Sequence, residues 1–313
     1  MGTPEFAVET LKALVENDYN VVAVVTQPDK PVGRHQTEMQ PSQVKQYAVA
    51  HGLPVLQPEK MKDPEFVEQL RSYNANLQVV VAFRMLPEVV WAMPEYGTFN
   101  VHAALLPQYR GAAPINWAVI NGETQTGVTT FFLDHDIDTG RIILKKTFDI
   151  PDEADVEYVY DGLMHLGAQI CLETLEAIVA ANGHPDSIPQ DSVLDGSAIK
   201  PAPKILKETC EIDWKKTAKQ VYDFVRGLSP YPGAWTTLVA PDGKETVLKI
   251  YKTRKTGKPG KGIGTITIEG KALCVSAADE QLEIVELQLA GKKRMMARDF
   301  LNGMKQIEDY RVK

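Results

Sequence analysis

"LQVVVAF" (Leu77 to Phe83) runs Val-Val-Val-Ala-Phe without a polar break. Such a run marks a strand buried on both faces of a parallel sheet, since a half-exposed strand would alternate apolar with polar. "NVVAVVTQ" (Asn20 to Gln27) has the same character. Between them, Gln40 to Ala50 predicts a helix entered through Pro41-Ser42, and Pro64 to Tyr73 predicts another. Strand, helix, strand, helix is the order of βαβ units, so the expected fold class is α/β with a doubly wound, mostly parallel, Rossmann-like sheet. Further on, "GVTTFFLD" and "RIILKKTFDI" flank a short acidic loop as a hairpin would. The spacing of Val156, Val159, Leu163, Leu166, Ile170, Leu175 and Ile178 predicts one long helix between Asp152 and Ala181. "MGTPEFAV" at the start reads as the turn after a first strand, yet no strand stands before it.

Asn182 to Pro203 mixes Pro, Gly and Ser with no sustained period and reads as a linker. Beyond it, "TAKQVYDFVRGL" predicts a helix, and "TVLKIYKTR", "GIGTITIEG", "ALCVSAAD" and "QLEIVELQLA" predict short strands. These suit a second, smaller, OB-like β-barrel. The expected organisation is therefore a catalytic domain over residues 1–181, a linker over 182–203 and a basic domain over 204–313.

The net charge of −7 conceals an asymmetry. Residues 1–201 carry 13 Lys and Arg against 27 Asp and Glu, whereas residues 202–313 carry 21 against 14. An acidic half joined to a basic half implies that the second half meets a polyanion. No apolar run approaches the roughly 20 residues of a membrane span, and no secretion signal opens the chain, so no membrane partner is expected. Cys171, Cys210 and Cys274 are far apart and form no CxxC. Free thiols in a reducing compartment, the cytoplasm, are the expectation.

The chemistry is concentrated in "FNVHAALLPQYRGAAP" (Phe99 to Pro114). On a strand, Asn100 and His102 point the same way while Val101 points the other. An amide donor beside an imidazole suits a reaction at a carbonyl, whose oxygen gains charge at the tetrahedral stage. The alternative is a hydrogen-bonded Asn and His that simply end a strand. The acidic loop "LDHDIDTG" (Leu133 to Gly140) resembles the start of a calcium loop. Its sixth position is Thr139 rather than Gly, however, and its twelfth is Lys145 rather than Glu, so no metal is expected. One carboxylate there could orient the imidazole and favour its protonated form, and Asp138 is the best placed.

An NxH, then "LLPQYRGAAP", then "DTG" with its Asp 38 residues after the Asn resembles the folate-dependent formyltransferases. "GTPEFAV", "TQPDKPVGR", "IDW" and "GKKRMMARDFLNG" extend the resemblance over nearly the whole chain and narrow it to the branch that acts on methionyl initiator tRNA. The resemblance implies transfer of the formyl group of 10-formyltetrahydrofolate to the α-amino group of that methionine, with Asn100, His102 and Asp138 catalytic and no metal. It implies that Ala104, Leu105, Leu106 and Pro107 line the folate, near Phe83 and Arg84. Ala104 replaces the family's usual Ser, and Phe83-Arg84 stands where Tyr-Gly is common. It also implies that the loop Gln27 to Ser42 reaches the tRNA acceptor end through Arg34, with Lys30 and Gly33 beside it. The phosphates would fall to Lys204, Lys207, Lys215, Lys216, Lys249, Lys252, Arg254, Lys255, Lys258 and Lys261. A monomer is expected, because the tRNA must span both domains. A formyltransferase for glycinamide ribonucleotide or an amino sugar nucleotide is an open alternative, as is a non-catalytic tRNA-binding protein.

Overall fold

The computed structural model describes residues 1–32, 38–304 and 306–313. In chain order the first elements are α1 (Glu5–Glu16), β1 (Val24–Val25), β2 (Lys30–Val32), β3 (Glu38–Gln40), α2 (Gln43–Ala50), β4 (Val55–Leu56), α3 (Pro64–Ser72), β5 (Gln78–Val81), α4 (Glu88–Trp91) and β6 (Thr98–His102). Then follow α5 (Pro114–Ile120), β7 (Gln125–Phe132), β8 (Ile142–Asp149) and α6 (Val156–Ala180). The chain forms two units, one of residues 1–111, 125–149 and 160–201, the other of 112–124, 150–159 and 202–313.

The first unit is α/β. Strands β1 and β4 pair in parallel, β5 and β6 pair in parallel, and β7 and β8 continue the second group antiparallel. Two residues join the groups: Gly2 N donates to Val25 O (3.0 Å) and Val81 N to Met1 O (2.9 Å). Met1–Gly2 thus occupies the place of a central strand. This explains why only Val24–Val25 of the long run Asn20–Gln27 is strand, since a ladder extends only as far as its neighbour. Ser42 caps α2 by accepting from Lys45 N (3.1 Å), and Asp63 caps α3 by accepting from Glu65 N (3.1 Å). Phe66, Val67 and Leu70 of α3 bury against Val25, Leu56 and Val80. By length and composition α6 is apolar enough to cross a membrane. Its Leu163, Ile170, Cys171 and Ile178 are, however, fully buried in the protein.

The segment expected as a linker is strapped down. Ile188 exchanges backbone bonds with Ile142 (2.8 and 2.9 Å), Tyr109 N donates to Lys200 O (2.7 Å), and Gln190 is only 2% exposed.

The second unit holds helices α7 (Ala218–Gly227) and α8 (Ala297–Gly303). Its strands are β9 (Ala234–Val239), β10 (Glu245–Pro259), β11 (Ile266–Glu269), β12 (Ala272–Ser276), β13 (Glu280–Leu289), β14 (Met295–Met296) and β15 (Arg311–Val312). They form one antiparallel sheet in the order β11-β12-β13-β10-β9-β15, with β14 on β13. The sheet curls until its edges touch at the bridge Thr265–Arg311. Trp214, Val221, Leu228, Ile250, Leu282, Ile284 and Leu287 fill it.

Candidate active site

Strand β6 ends the parallel part of the sheet and places the central pair. Phe99 (0%) and Val101 (3%) face the core, and Asn100 and His102 share the opposite face. His102 Nε2 lies 2.9 Å from Tyr109 O. A carbonyl oxygen only accepts, so Nε2 carries the hydrogen and Nδ1 is left for chemistry. Nδ1 faces Asp138 Oδ2 at 3.9 Å, with both side chains largely buried. Asn100 Oδ1 is buried without a hydrogen-bond partner. A buried, unpaired acceptor is costly, and a ligand donor would satisfy it.

Asp138 sits in the left-handed region at φ 57°, and its Oδ2 accepts from Gly111 N (2.9 Å). The glycine of "DTG" is required by space, since a Cβ on Gly140 would stand 1.6 Å from Phe132 O. Gln190 ties the loop down: its Nε2 donates to Asp138 O (2.8 Å) and Gly140 O (2.9 Å). Its Oε1 accepts from Arg110 Nε (3.0 Å) and Nη2 (2.7 Å). Sequence reasoning missed Gln190 and Arg110. The run "LLPQYRGAAP" placed Arg110 beside the site, but nothing local marks Gln190.

Of the residues expected at the folate, Ala104 and Leu106 are fully buried, Pro107 is buried and Leu105 is half-buried. Ala104 O accepts from Thr129 Oγ1 (2.6 Å), Leu106 N donates to that hydroxyl (3.1 Å), and Lys145 Nζ donates to Leu106 O (2.9 Å). Those backbone groups hold the turn itself, which leaves the Leu105 side chain as its most accessible part. Burial pulls the Lys145 ammonium below the usual lysine range. Phe83 and Arg84 are half-buried after β5, past Ala82 at φ 46°. The Arg84 guanidinium donates to Glu59 O (2.8 Å) and Pro58 O, pinning the chain beyond β4.

Lys30 is exposed at the start of the β2–β3 hairpin. Gly33 and Arg34 lie outside the described residues. Lys204, Lys207, Lys215, Lys216 and Lys252 are exposed, and Lys249 is half-buried with its Nζ on Pro232 O (3.2 Å). Arg254 pairs with Glu283 (2.8 Å), Lys255 with Asp152, and Lys258 and Lys261 with Glu269 (2.9 and 3.0 Å). Those four cations are thus partly neutralised within the protein. Among the described residues, no three His, Cys, Asp or Glu side chains group as metal ligands.

The model of the formyl transferase family matches residues 1–175, and that of the formyl transferase C-terminal domain matches residues 204–305. The chain belongs to the formyltransferase family. It is 59% identical to a methionyl-tRNA formyltransferase of Parabacteroides distasonis over all of this chain and 97% of that protein. It is 55% identical to one of Bacteroides fragilis over all of this chain and 96% of that one. Among solved structures, WlaRD, a sugar 3N-formyltransferase in the presence of dTDP and 5-N-formyl-THF, matches this formyltransferase with a TM-score of 0.63. That identity is 18%, over 93% of this chain and 97% of the other, a likeness of fold alone.

Proposed function

We propose that this formyltransferase moves the formyl group of 10-formyltetrahydrofolate to the α-amino group of methionine on initiator tRNA, the step that readies it for translation initiation. The observation that carries the reading is the 59% identity, over the whole chain, to a relative of that name. The reaction belongs to the cytoplasm, in keeping with three buried, unpaired cysteines. The working species is read as a monomer. Residues 1–181 are assigned the chemistry and the basic residues 204–313 the tRNA phosphates, with 182–203 between them. The second unit is read as an OB-like barrel, because its edge strands meet at Thr265–Arg311.

The neutral amine attacks the formyl carbon, forming the new C–N bond and a tetrahedral oxyanion. Collapse then breaks the bond to N10, which receives a proton while the amine nitrogen loses one. Asn100 serves both partners: Nδ2 donates to the oxyanion, and the orphaned Oδ1 accepts from the amine. His102, which the sequence offers either as an oxyanion donor or as an acid or base, has no hydrogen at Nδ1 while neutral, because its Nε2–H faces Tyr109 O. It therefore first takes the proton, through an ordered water, and becomes a donor afterwards. Asp138 stabilises the imidazolium so formed. Folate is assigned to Leu105 and the turn Ala104–Pro107, bounded by Phe83 and Arg84. Lys30, Gly33 and Arg34 are assigned to the acceptor end of the tRNA.

The test offers the purified chain 10-formyltetrahydrofolate with Met-tRNA, glycinamide ribonucleotide or an amino sugar nucleotide in separate reactions. Formylation of Met-tRNA alone is expected. Formylation of either small acceptor with Met-tRNA untouched overturns the reading.

A further inference from the structure

Tyr231 is 82% exposed, above every other large apolar or aromatic side chain among the described residues. It stands at the tip of a short loop whose feet, Leu228 and Ala234, are both fully buried. Gly233 N donates to Leu228 O (2.8 Å), closing the loop, and prolines 230 and 232 fix φ on either side of the tyrosine. The ring is thus held out in water by a backbone with little freedom, which lowers the entropy lost when it is covered.

Its surroundings hold aromatic and cationic groups, with the carboxylates of Glu208 and Glu211 also exposed on the neighbouring segment. Lys249 reaches the loop itself, its Nζ on Pro232 O (3.2 Å). Across the sheet from Lys249 stands Trp235, half-buried, whose indole N–H donates to Lys207 O (2.9 Å). Lys207 and Lys204 are exposed on the same stretch. A packing role leaves no reason for so exposed a ring. A face with cations beside it suits an unpaired nucleotide, the base stacking on the ring while lysines take the phosphates.

We infer that Tyr231 is a nucleobase-stacking platform, with Lys249 at its loop and Lys207 on the neighbouring segment, for an unpaired nucleotide of the bound tRNA. This rests on the Met-tRNA reading above.

The test measures initiator Met-tRNA binding by the full chain at several salt concentrations, for wild type, Tyr231→Ala, Tyr231→Phe and Lys207→Gln/Lys249→Gln. Loss of one stacked base weakens binding by about tenfold to a hundredfold, so Tyr231→Ala should fall in that range. Its salt slope should match wild type, because no phosphate contact is lost. Tyr231→Phe should stay within about threefold, since the ring face remains. The lysine pair should flatten the slope by about one to two. Heparin, a polyanion without bases, should bind wild type and Tyr231→Ala alike. Wild-type tRNA affinity in Tyr231→Ala overturns the platform while leaving the Met-tRNA reading intact. A changed salt slope in Tyr231→Ala, or a Tyr231→Phe as weak as Tyr231→Ala, also overturns it. Failure of the wild type to bind Met-tRNA overturns both.

Discussion

His102 Nε2 and the Tyr109 carbonyl oxygen lie 2.9 Å apart, which fixes the imidazole as its Nε2–H tautomer with Nδ1 turned toward Asp138. His102→Ala removes the proton acceptor, and kcat should fall about 10²–10⁴-fold while folate binding persists. His102→Gln offers a neutral amide that cannot hold the proton, so it should be nearly as slow. Single-turnover formylation with saturating Met-tRNA measures both. Near-normal turnover in either variant refutes the role. In the wild type, nitrogen NMR of the labelled ring should show the hydrogen on Nε2.

Gln190 tests whether the strapped segment matters to chemistry. Gln190→Leu keeps the volume but deletes two donors to the 138–140 backbone and the acceptor for Arg110. Buried partners left unpaired cost about 1–3 kcal/mol each. Melting should drop by several degrees, and kcat should fall about tenfold or more with KM for folate little changed. An unchanged kcat would show that the 138–140 loop keeps its geometry without this strap.

The split between legible and hidden features has a physical cause. Strand β6 was readable because Phe99 and Val101 alternate with Asn100 and His102, and α2 because Ser42 and Pro41 mark its entry. Those signals act over a few residues. Gln190 is buried by partners 50 to 80 residues away, and in its own neighbourhood of Pro, Asp and Ser it looks like any linker residue. The pairing of Arg254 with Glu283 likewise depends on the β10–β13 register, which no strand shows by itself. Residues 112–124 and 150–159 belong to the second unit for the same reason, since chain order does not reveal which layer a segment joins.

The three thiols should be silent in the folded protein. Burial pushes Cys171 up to about 12 and raises Cys210 and Cys274 as well. The thiolate is the reactive form, so at pH 8 a disulfide-exchange reagent should label almost none of the native chain and all three cysteines in urea. The linkage has a definite sign. Above pH 9, the ordinary value for this thiol, the folded state keeps a proton that the unfolded state releases. That contribution to stability is fully present below pH 9 and is lost as pH rises toward 12. Melting temperature against pH should fall less steeply over that range in Cys171→Ala. Rapid native labelling at pH 8 would contradict the burial.

Gly140→Ala puts the sharpest demand on the Asp138 loop. The added methyl would meet Phe132 O at 1.6 Å, a backbone atom of a residue held in the sheet, whose N donates to Arg141 O at 3.0 Å. No side-chain rotation relieves that overlap, so the loop must move, and overpacking of this kind costs about 1–3 kcal/mol or more. Displacing residue 140 displaces its carbonyl from Gln190 and with it the Asp138 carboxylate from Gly111 N and His102 Nδ1. Gly140→Ala should therefore lose activity by about 10²-fold or more even where it still folds, and Thr139→Ala beside it, which loses only the hydroxyl's bonds to Asp134 Oδ1 and Asp136 O within the loop, should lose far less. Comparing kcat and the thermal midpoint of the two variants decides it. An active, stable Gly140→Ala would mean that the turn carrying Asp138 has room its geometry denies.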